Sequence, residues 1–497
     1  MSLKMPEPDR DVLARRTEIV AALRAIVPGE GVIADPDALC AYESDGLTAY
    51  RQTPLVVVLP ETTDQVSRIL RWSSEHNVKV VPRGSGTSLS GGALPLEDAV
   101  LLGMSRFNRV LEVDYPNRVA VVQPGVTNLA ITEAVREQGF YYAPDPSSQI
   151  ACSIGGNVAE NAGGVHCLKY GLTTNNVLGV EFVLMSGEVV RIGGKGLDSA
   201  GYDLLGVIVG SEGMLGVVTE VTVRILPAPA AAQALLIGFS SVEDAGRCVS
   251  AVIAEGIIPA GMEMMDRLAI HAAEAFVAAG YPLNVDALLI VELDGPPAEC
   301  EHLIETVSAI ARRSNATTIS ASRNDEERLA FWAGRKAAFP AVGRISPDYY
   351  CMDGTIPRHA LAEVLARMRE MSESYGLRVA NVFHAGDGNL HPLILYDANR
   401  PGELEQAESF GADILRLCVQ VGGVLTGEHG VGVEKRDLMP VMFTRIDLAH
   451  QQLLKCAFDP GLLLNPGKVF PTLHRCAELG RMHVHAGRLP HPDLPRY

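Results

Sequence analysis

The stretch VPRGSGTSLSGG, at residues 81–92, follows a short apolar run and contains four glycines and three serines. A loop of this composition can turn successive backbone N–H groups inward, and a concave set of amides binds a pyrophosphate. It is not a P-loop, because GxxxxGKS/T is absent, and its glycines do not complete the dinucleotide fingerprint GxGxxG. Taken alone, the loop fits either a phosphate-binding site or a tight surface turn.

Three further glycine-rich segments follow within the same predicted domain. They read PDPSSQIACSIGGNVAENAGG (144–164), YGLTTNNVLGVEFV (170–183) and IVGSEGMLGVVTE (208–220). Glycines separated by small polar residues let the backbone approach a flat, extended ligand closely. Four such segments in one domain are difficult to explain as turns, so the pattern favours a binding site for such a ligand.

The four segments resemble the FAD-binding domain of the vanillyl-alcohol-oxidase (PCMH-type) flavoproteins. The resemblance implies an α+β protein, with a PCMH-type FAD-binding domain of two α+β subdomains followed by an α+β substrate domain. It implies that the first loop holds the FAD pyrophosphate through Pro82, Arg83, Gly84, Ser85, Gly86, Thr87 and Ser88. The later segments would line the rest of the cofactor through Pro144, Ser148, Ser153, Gly155, Gly156, Asn157, Gly163, Gly164, Glu212, Gly213, Gly216 and Val218.

The first loop also bears on how the flavin is held. Members of this family with covalent FAD commonly carry a histidine in that loop. Here Thr87 follows Gly86 and the loop contains no histidine. The resemblance therefore implies non-covalent FAD.

Two histidine-containing motifs lie in the second half of the chain, FHAGDGNLHPLI (383–394) and LTGEHGVGVEK (425–435). The glycines between His384 and His391 allow both imidazoles to converge, and Glu428 is a third candidate ligand. Two neutral imidazoles and one carboxylate, with positions left open for substrate, suit a divalent first-row metal. A structural turn is the alternative interpretation of the same residues.

Both motifs resemble the signatures of the D-2-hydroxyacid dehydrogenases within this flavoprotein family. The resemblance implies that His384, His391 and Glu428 hold a zinc- or manganese-like ion and that His429 is the catalytic base. The alternative role for His429 is to orient the metal ligand next to it.

Arg335, in FWAGRKAAFP (331–340), is the predicted cation for the substrate carboxylate, because a guanidinium can bind a carboxylate through two parallel hydrogen bonds. Related dehydrogenases have an arginine at the matching place, and a solvated or salt-bridged helix residue is the alternative. Phe339 lies one turn later. Together with Tyr349 and Tyr350, it favours a short 2-hydroxy acid, such as glycolate or D-lactate, over 2-hydroxyglutarate.

From about residue 20 to the end, the chain resembles the FAD-linked subunits of bacterial glycolate oxidases. The implied reaction is oxidation of glycolate to glyoxylate, by hydride transfer to flavin N5 with metal-assisted deprotonation. The implied partners are an iron–sulfur subunit, which receives the electrons, and a second flavoprotein subunit. The alternatives are a D-lactate dehydrogenase, a non-catalytic FAD-binding scaffold, an oxidase that reduces O₂, and a free-standing dehydrogenase with a soluble acceptor.

Four segments are predicted along the chain: a helical N-terminal segment (1–50), the FAD-binding domain (51–228), the substrate and metal domain (229–470) and a docking tail (471–497). The boundary near 229 rests on the composition change at PAPAAAQ (227–233). TPLVVVLP (53–60), a helix capped by Thr63 and VKVVP (78–82) predict a β-α-β unit. VEFVLMSGEVVRIGG (180–194) predicts a hairpin that bends at Ser186-Gly187.

Composition restricts the function classes. A net charge of −17 over 497 residues argues against binding to nucleic acid or to a bare anionic membrane. No run of eighteen apolar residues and no signal-peptide block occur, so we expect a cytoplasmic protein that meets the inner face of the cytoplasmic membrane only through its complex. The nine cysteines include no CxxC pair, so the sequence predicts buried, unpaired thiols and no iron–sulfur cluster.

Overall fold

A computed structural model describes residues 5–196 and 201–471 of the chain. Helices and strands alternate throughout these ranges, which confirms the predicted α+β class. The predicted docking tail, apart from residue 471, lies outside the described residues. Among the helices that are described, none has the length and apolar character needed to cross a membrane.

The N-terminal region forms a four-stranded sheet with helices packed beside it. Its elements are α1 (Arg10–Ala14), α2 (Arg16–Ile26), β1 (Val32–Ile33), α3 (Pro36–Leu39), β2 (Val56–Val58), α4 (Thr63–Glu75), β3 (Lys79–Arg83) and β4 (Ala99–Gly103). The strand order is β1-β2-β4-β3, with β2, β3 and β4 parallel. The predicted β-α-β unit is therefore present, but β4 lies between its two strands.

The start of α4 differs from the prediction by one residue. The N-cap is Thr62, not Thr63, and its Oγ1 accepts a hydrogen bond from the backbone N–H of Gln65 at 3.2 Å. Thr62 has the extended backbone that a capping residue requires, while Thr63 is already helical. Two adjacent threonines made the sequence ambiguous at this position.

A second, five-stranded antiparallel sheet follows, with a short two-stranded sheet next to it. The elements are β5 (Val110–Asp114), β6 (Val119–Val122), α5 (Asn128–Val135), β7 (Phe140–Tyr141), α6 (Ile154–Glu160), α7 (Cys167–Tyr170), α8 (Thr173–Asn176), β8 (Val177–Val183), β9 (Val189–Gly193), α9 (Leu205–Ile208), β10 (Val217–Arg224) and β11 (Leu226–Pro227). The order is β5-β6-β10-β8-β9, and β7 pairs with β11. The predicted hairpin is β8-β9, and Gly187 at its bend has a φ of +84°.

The third sheet has seven antiparallel strands and begins just after the predicted domain boundary. The elements are β12 (Ala231–Phe239), α10 (Val242–Ala254), β13 (Gly261–Asp266), α11 (Arg267–Val277), β14 (Ala287–Gly295), α12 (Pro297–Arg313), β15 (Ala316–Ala321), α13 (Asp325–Lys336), α14 (Ala338–Val342), β16 (Asp348–Cys351), α15 (Leu361–Tyr375), β17 (Val379–His384), β18 (Asn389–Tyr396) and α16 (Glu403–Gln420). The order is β15-β12-β14-β13-β17-β18-β16.

Alternate residues of the third sheet face two separate apolar cores. In β12, Leu235 and Ile237 pack in the core that includes residues of α10, α15 and α16, while Leu236 packs in the core that includes residues of α11, α13 and α14. Side chains of a strand point alternately to opposite faces, so a strand with apolar residues on both faces lies between two helical layers. Burial on both faces explains the nearly continuous apolar runs in these strands.

The last described segment returns to the N-terminal half of the molecule. It contains α17 (Met439–Met442) and α18 (Arg445–Phe458). Beyond α18, Leu464 pairs with Val80 of β3, and Asn465 Nδ2 donates to the backbone carbonyls of Gly92 and Glu212. The end of the predicted substrate domain therefore packs on the predicted FAD-binding domain, an arrangement that the linear division did not anticipate.

The cysteines follow the prediction in most cases. Seven in the described ranges are free, and all of these except the exposed Cys40 are buried. Cys456 is disulfide-bonded, so the prediction of unpaired thiols is wrong for this residue.

Candidate active site

Three of the four glycine-rich segments surround one open cleft, whose space between protein atoms is about 1060 Å³ including open solvent, and the 170–183 segment contributes no residue to its lining. The first loop follows β3, the 144–164 segment includes the start of α6, and the 208–220 segment leads into β10. All but three of the residues predicted to bind the cofactor line this cleft. They are Pro82, Arg83, Gly84, Ser85, Gly86, Thr87, Ser88, Ser148, Ser153, Gly155, Gly156, Asn157, Glu212, Gly213, Gly216 and Val218.

The first loop presents unpaired backbone donors to the cleft. Within the described ranges, the N–H groups of Ser85, Gly86, Thr87 and Ser88 donate no hydrogen bond to protein backbone. A Cβ on Gly84 would lie 2.3 Å from Ser153 Oγ, so glycine is required where the loop meets α6. Free amides in a close-packed loop fit the pyrophosphate of FAD.

Two buried polar atoms in the cleft also have no protein partner among the described residues, Asn157 Nδ2 and Glu160 Oε2. Buried polar atoms are normally hydrogen-bonded, so these two atoms are available to a polar ligand. Burial, together with the negative charge of Glu212, raises the pKa of Glu160 well above its usual value.

Three predicted cofactor residues lie away from the cleft lining. The Pro144 carbonyl accepts a hydrogen bond from Asn128 Nδ2 at 2.9 Å. The Gly163 N–H donates to Glu428 Oε2 at 3.1 Å, and a Cβ on Gly164 would lie 2.5 Å from the Asp145 carbonyl. Gly163 therefore contacts the histidine cluster described next, and Gly164 permits a close backbone packing.

His384, His391 and Glu428 come together in one cluster. His384 ends β17 and His391 lies in β18, and the turn between these paired strands brings their ring centroids to 5.0 Å. Glu428 Oε1 lies 3.3 Å from His384 Nε2 and 3.1 Å from His391 Nε2. One ligand atom from each residue lies within 4.8 Å of the other two. The three predicted metal ligands therefore share one site.

The chemical state of two of these ligands, His391 and Glu428, fits a divalent ion. Both ring nitrogens of His391 are buried, and neither has hydrogen-bond geometry to any group in the part of the chain that is described. Burial lowers the pKa of His391 to about 4 despite the nearby Glu428. Burial alone would raise the pKa of Glu428, but the adjacent imidazoles of His384 and His391 bring it well below its usual value. A neutral imidazole and an ionised carboxylate are the forms that bind a metal.

Glu263 lies behind His384 and connects it to Arg335. Glu263 Oε1 lies 2.6 Å from His384 Nδ1, and Glu263 Oε2 accepts a hydrogen bond from Arg335 Nε at 2.7 Å. Burial alone would lower the pKa of His384, but the carboxylates of Glu263 and Glu428 raise it well above its usual value. Arg335 is thus an ion-paired residue next to the cluster, and its Nη1 remains without a protein partner in the described ranges.

Asp353 shapes the loop that carries Glu428 and His429. Its Oδ2 accepts the backbone N–H groups of Gly427, Glu428 and His429, at 3.0, 2.8 and 2.8 Å. Burial would raise the pKa of Asp353, but the charges of Lys435 and His429 lower it to about 2. Lys435 Nζ forms a fully buried ion pair with the same carboxylate. One ionised side chain therefore fixes three successive peptide groups.

His429 lies between the cluster and the cleft. Its ring stacks on that of His391 with centroids 5.0 Å apart, and His429 and Glu428 both line the cleft. Ser90 Oγ donates to the His429 carbonyl at 2.8 Å, which ties this loop to the first glycine-rich loop. No atom of His429 is needed to complete the three-ligand set, and its ring nitrogens lie 3.9 Å from Asp353 Oδ1 and from Glu428 Oε1.

Aromatic residues form one wall of the site. Phe339, on α14, directs its ring edge-on to His391 at 6.1 Å and to Tyr349 at 6.2 Å between centroids. Tyr350 points to the opposite side of the sheet, where it packs in a different core and contacts Tyr50. The expectation that both tyrosines lie by the substrate is therefore wrong for Tyr350, because neighbouring residues of a strand face opposite sides.

Glu263 and Asp353 are not among the site residues predicted from the sequence, and no role was predicted for Lys435. A detectable signal existed for Glu263, since it is the one charged residue in the apolar run GMEMM (261–265). A charged residue inside a buried strand must have a partner. Asp353 is the first acidic residue after the apolar residues YYCM (349–352). Isolated acidic residues in or next to apolar strands could therefore have indicated the side chains that hold the site residues in place.

Comparisons with known proteins agree with this architecture. Residues 54–193 match the family described as "FAD binding domain", and residues 228–469 match "FAD linked oxidases, C-terminal domain". The chain is 57% identical over 482 residues to "Glycolate oxidase subunit GlcD" of Escherichia coli K12, with 97% of each protein covered. It is 35% identical over 445 residues to "D-lactate dehydrogenase" of Archaeoglobus fulgidus, covering 88% of this chain and 96% of that protein.

A solved structure with a similar fold is the 4-ethylphenol oxidase of Gulosibacter chungangensis. The TM-score is 0.79 at 18% identity, with 94% of this chain and 98% of that chain covered. At this identity the likeness concerns the fold alone. Together with the two matched families, it confirms the predicted PCMH-type flavoprotein architecture.

Proposed function

The chain belongs to the family of FAD-linked oxidases, and we propose that it is the FAD-binding subunit of a glycolate oxidase, which oxidises glycolate to glyoxylate. Its similarity to the E. coli subunit extends over nearly the whole chain. The FAD-binding domain and the substrate-side residues His384, His391, Glu428 and His429 are all present. A non-catalytic scaffold has no need of the latter residues.

A single observation carries this proposal. Glu428 and His429 line the flavin cleft, and the same Glu428 completes the histidine cluster. A hydroxy acid bound at the cluster would therefore meet the cleft directly, without a wall of protein between them. Two-electron oxidation of an alcohol requires this proximity of the hydroxyl-bearing carbon to the electron acceptor.

Each absent group would supply one kind of chemistry. FAD, held in the cleft by the first loop and by residues at the start of α6, would supply the acceptor for the hydride from the substrate C2. His384, His391 and Glu428 would hold a divalent metal such as zinc or manganese, which would lower the pKa of the substrate hydroxyl. Because the first loop has no histidine, we propose that the flavin is non-covalent, held by the amides of residues 85–88.

The residues of the chain perform the remaining steps. Arg335 binds the substrate carboxylate through Nη1, which has no protein partner in the described ranges. His429 accepts the hydroxyl proton as the hydride leaves C2, so that glycolate loses two electrons and two hydrogens and becomes glyoxylate. A positioned base of this kind contributes about 10²–10⁴-fold to the rate.

The size of the substrate pocket favours a short acid. The Phe339 ring occupies the space beside His391, and it offers no cation for a second carboxylate. Glycolate and D-lactate differ by one methyl group, which a hydrophobic pocket distinguishes by only about 1–3 kcal/mol. D-lactate is therefore the second candidate substrate, and the similarity to a D-lactate dehydrogenase favours keeping it.

We also propose that the reduced flavin passes its electrons to other subunits. The relatives named glycolate oxidase subunits indicate a complex of several chains. The proposed partners are a GlcF-like iron–sulfur subunit and a GlcE-like second flavoprotein, with residues 471–497 as a docking tail. We place the protein in the cytoplasm, in contact with the membrane only through these partners.

The deciding experiment is anaerobic bleaching of the flavin band of the purified, FAD-loaded chain by glycolate, D-lactate and D-2-hydroxyglutarate, before and after EDTA. Fast bleaching by glycolate, lost on chelation and restored by Zn²⁺ or Mn²⁺, is the expected result. Bleaching by D-lactate alone would overturn the substrate and keep the chemistry. A loaded chain that bleached with none of the three acids would favour the scaffold.

Two further measurements address the cofactor and the acceptor. Acid precipitation should release all the flavin into the supernatant, and flavin retained in the pellet would contradict non-covalent binding. Reduced protein should be reoxidised slowly by O₂ and quickly by the iron–sulfur subunit. Rapid formation of peroxide would instead indicate an oxidase.

A further inference from the structure

We propose that Glu263 is a positioning residue that holds a metal ligand and the substrate-binding arginine with a single carboxylate. The proposal rests on the proposed function, because it takes His384 as a ligand and Arg335 as the carboxylate-binding group. It assigns to Glu263 a role in both metal affinity and substrate affinity.

The two oxygens of the Glu263 carboxylate contact two different side chains. Glu263 lies in β13, and its side chain is only 1% exposed. Oε1 lies 2.6 Å from His384 Nδ1, while Oε2 lies 2.7 Å from both Nε and Nη2 of Arg335. Each oxygen therefore serves one functional side chain, and water is excluded from both contacts.

The contact with His384 fixes which ring nitrogen faces the metal site. Because the Glu263 carboxylate can only accept, Nδ1 of His384 must carry a proton. In the neutral ring Nε2 is then the free lone pair, and Nε2 is the atom that faces Glu428 at 3.3 Å. A carboxylate behind a ligating histidine sets its tautomer and orientation, and loss of such a partner typically costs about 10–100-fold in metal affinity.

The contact with Glu263 leaves part of the Arg335 guanidinium without a hydrogen-bond acceptor. Nε donates to Glu263 Oε2 and Nη2 lies 2.7 Å from the same oxygen, while among the described residues neither Nη1 nor Nη2 has hydrogen-bond geometry to any acceptor. A buried guanidinium without a full set of acceptors is unfavourable. The carboxylate of the substrate would supply the missing acceptor, in an orientation that Glu263 determines.

A glutamine in place of Glu263 keeps the size of the side chain but cannot serve both partners. Its amide has one accepting oxygen and one donating nitrogen. If the oxygen faces His384, the NH₂ group faces the donors of Arg335 and displaces them. If the oxygen faces Arg335, His384 must accept at Nδ1 and carry its proton at Nε2, which removes the metal-binding lone pair. Either orientation damages one of the two functions.

Glu292 offers a matched control. It lies in the neighbouring strand β14, two registers from Glu263, and it is 4% exposed. It accepts a hydrogen bond from Trp332 Nε1 at 2.5 Å and lies 3.3 Å from His166 Nε2, without touching the histidine cluster. Glu292→Gln therefore removes a buried, hydrogen-bonded carboxylate of the same strand pair and leaves both partners of Glu263 intact.

The experiment compares Glu263→Gln, Glu292→Gln and the unmodified chain, all loaded with FAD. Zn²⁺ and Mn²⁺ affinities are measured by competition with a chelator, KM and kcat for glycolate with metal in excess, and unfolding by urea. We expect Glu263→Gln to weaken metal affinity about 10–100-fold, to raise KM, or to do both, according to the orientation of its amide, with metal affinity and KM within threefold of the unmodified chain for Glu292→Gln. The metal measurement is independent of which acid is the substrate, so the wrong choice of acid would leave it unaffected.

Two results would overturn the proposal. Metal affinity and KM unchanged in Glu263→Gln would show that Glu263 only balances charge in the core. Equal losses of metal affinity in Glu263→Gln and Glu292→Gln would show a general effect of destabilising this sheet.

Discussion

Asp353 accepts a hydrogen bond from the backbone N–H of His429 at 2.8 Å, and it does so from a position with no exposure to solvent. The same carboxylate oxygen holds the N–H groups of Gly427 and Glu428. The proposed base and one proposed metal ligand therefore depend on a single buried ion pair between Asp353 and Lys435. The active-site loop is rigid because a charge fixes its peptide groups, although it is rich in glycine.

Asp353→Asn should destabilise the protein by about 3–5 kcal/mol, because it removes the nearest counter-charge of the fully buried Lys435 and leaves Glu434, at 3.6 Å, as its remaining ion-pair partner. Urea unfolding measures the loss, and metal content after dialysis should fall with it. Asp286→Asn is the control, since Asp286 forms an exposed ion pair worth about 0–1 kcal/mol. The double variant Asp353→Asn, Lys435→Met should recover part of the loss. Equal stability of Asp353→Asn and Asp286→Asn would contradict this role.

His429→Gln should slow flavin reduction by glycolate about 10²–10⁴-fold while metal and FAD remain bound. The imidazole of His429 is not part of the three-ligand set, and its backbone contacts to Asp353 and Ser90 do not involve the side chain. Anaerobic rapid mixing gives the rate, and elemental analysis gives the metal content. Loss of metal in step with the rate would instead support the alternative role of His429 in orienting Glu428.

Removal of the metal should abolish reduction by glycolate without releasing the flavin. Of the three cluster ligands only Glu428 lines the flavin cleft, so most of the residues that would hold the flavin make no contact with the metal ligands. EDTA treatment followed by gel filtration should give a chain with a full flavin spectrum and no bleaching, and stoichiometric Zn²⁺ or Mn²⁺ should restore it. A chelated chain that still bleaches at the original rate would exclude metal-assisted deprotonation.

The parts of the site that are formed by residues close together in the chain could be predicted from the sequence. The first glycine-rich loop is contiguous, and His384 and His391 are separated by a single turn, so residue types and spacing indicated both functions. Glu263 and Asp353 reach the same site from positions 121 and 75 residues away in the chain. Their roles depend on strand order, which a single sequence does not display.

In the fold, too, local features were predicted from the sequence and features that depend on distant segments were not. Apolar runs correctly predicted β2, β3 and the β8-β9 hairpin, because these patterns are local. The position of β4 between β2 and β3, and the return of Leu464 to pair with Val80, arise from contacts between distant segments. Strand alternation would have separated Tyr349 from Tyr350, since adjacent strand residues face opposite sides.

His166 connects the two halves of the protein, and its contribution to stability should depend on pH. Nδ1 lies 2.9 Å from Asp145 Oδ2, in the N-terminal half, and Nε2 lies 3.3 Å from Glu292 Oε1 on the third sheet. Burial alone would lower the pKa of His166, but these two carboxylates raise it to about 10. The protonated ring is thus favoured in the folded state, whereas an unfolded histidine titrates near about 6.5.

These two pKa values determine how the stability contributed by His166 changes with pH. The stabilisation is complete below about pH 6.5 and is lost progressively as the pH rises toward 10. His166→Gln should therefore cost about 1.5–3 kcal/mol at pH 6 and much less at pH 10. Urea unfolding at pH 6, 8 and 10 measures the difference, with His302→Gln, at an exposed histidine of α12, as control. A cost independent of pH would contradict a charged His166.

Phe339 should set the upper size of the substrate. Its ring stands edge-on to His391 and to Tyr349, so its removal opens space beside His391. Phe339→Ala should raise kcat/KM for D-2-hydroxybutyrate relative to glycolate by about 10–100-fold, because hydrophobic pockets discriminate one or two methylenes by about 1–3 kcal/mol. Tyr350→Phe, on the opposite face of the sheet, is the control and should leave the ratio unchanged. If Phe339→Ala lowers both values of kcat/KM equally, the ring only supports His391, and another part of the cleft limits substrate size.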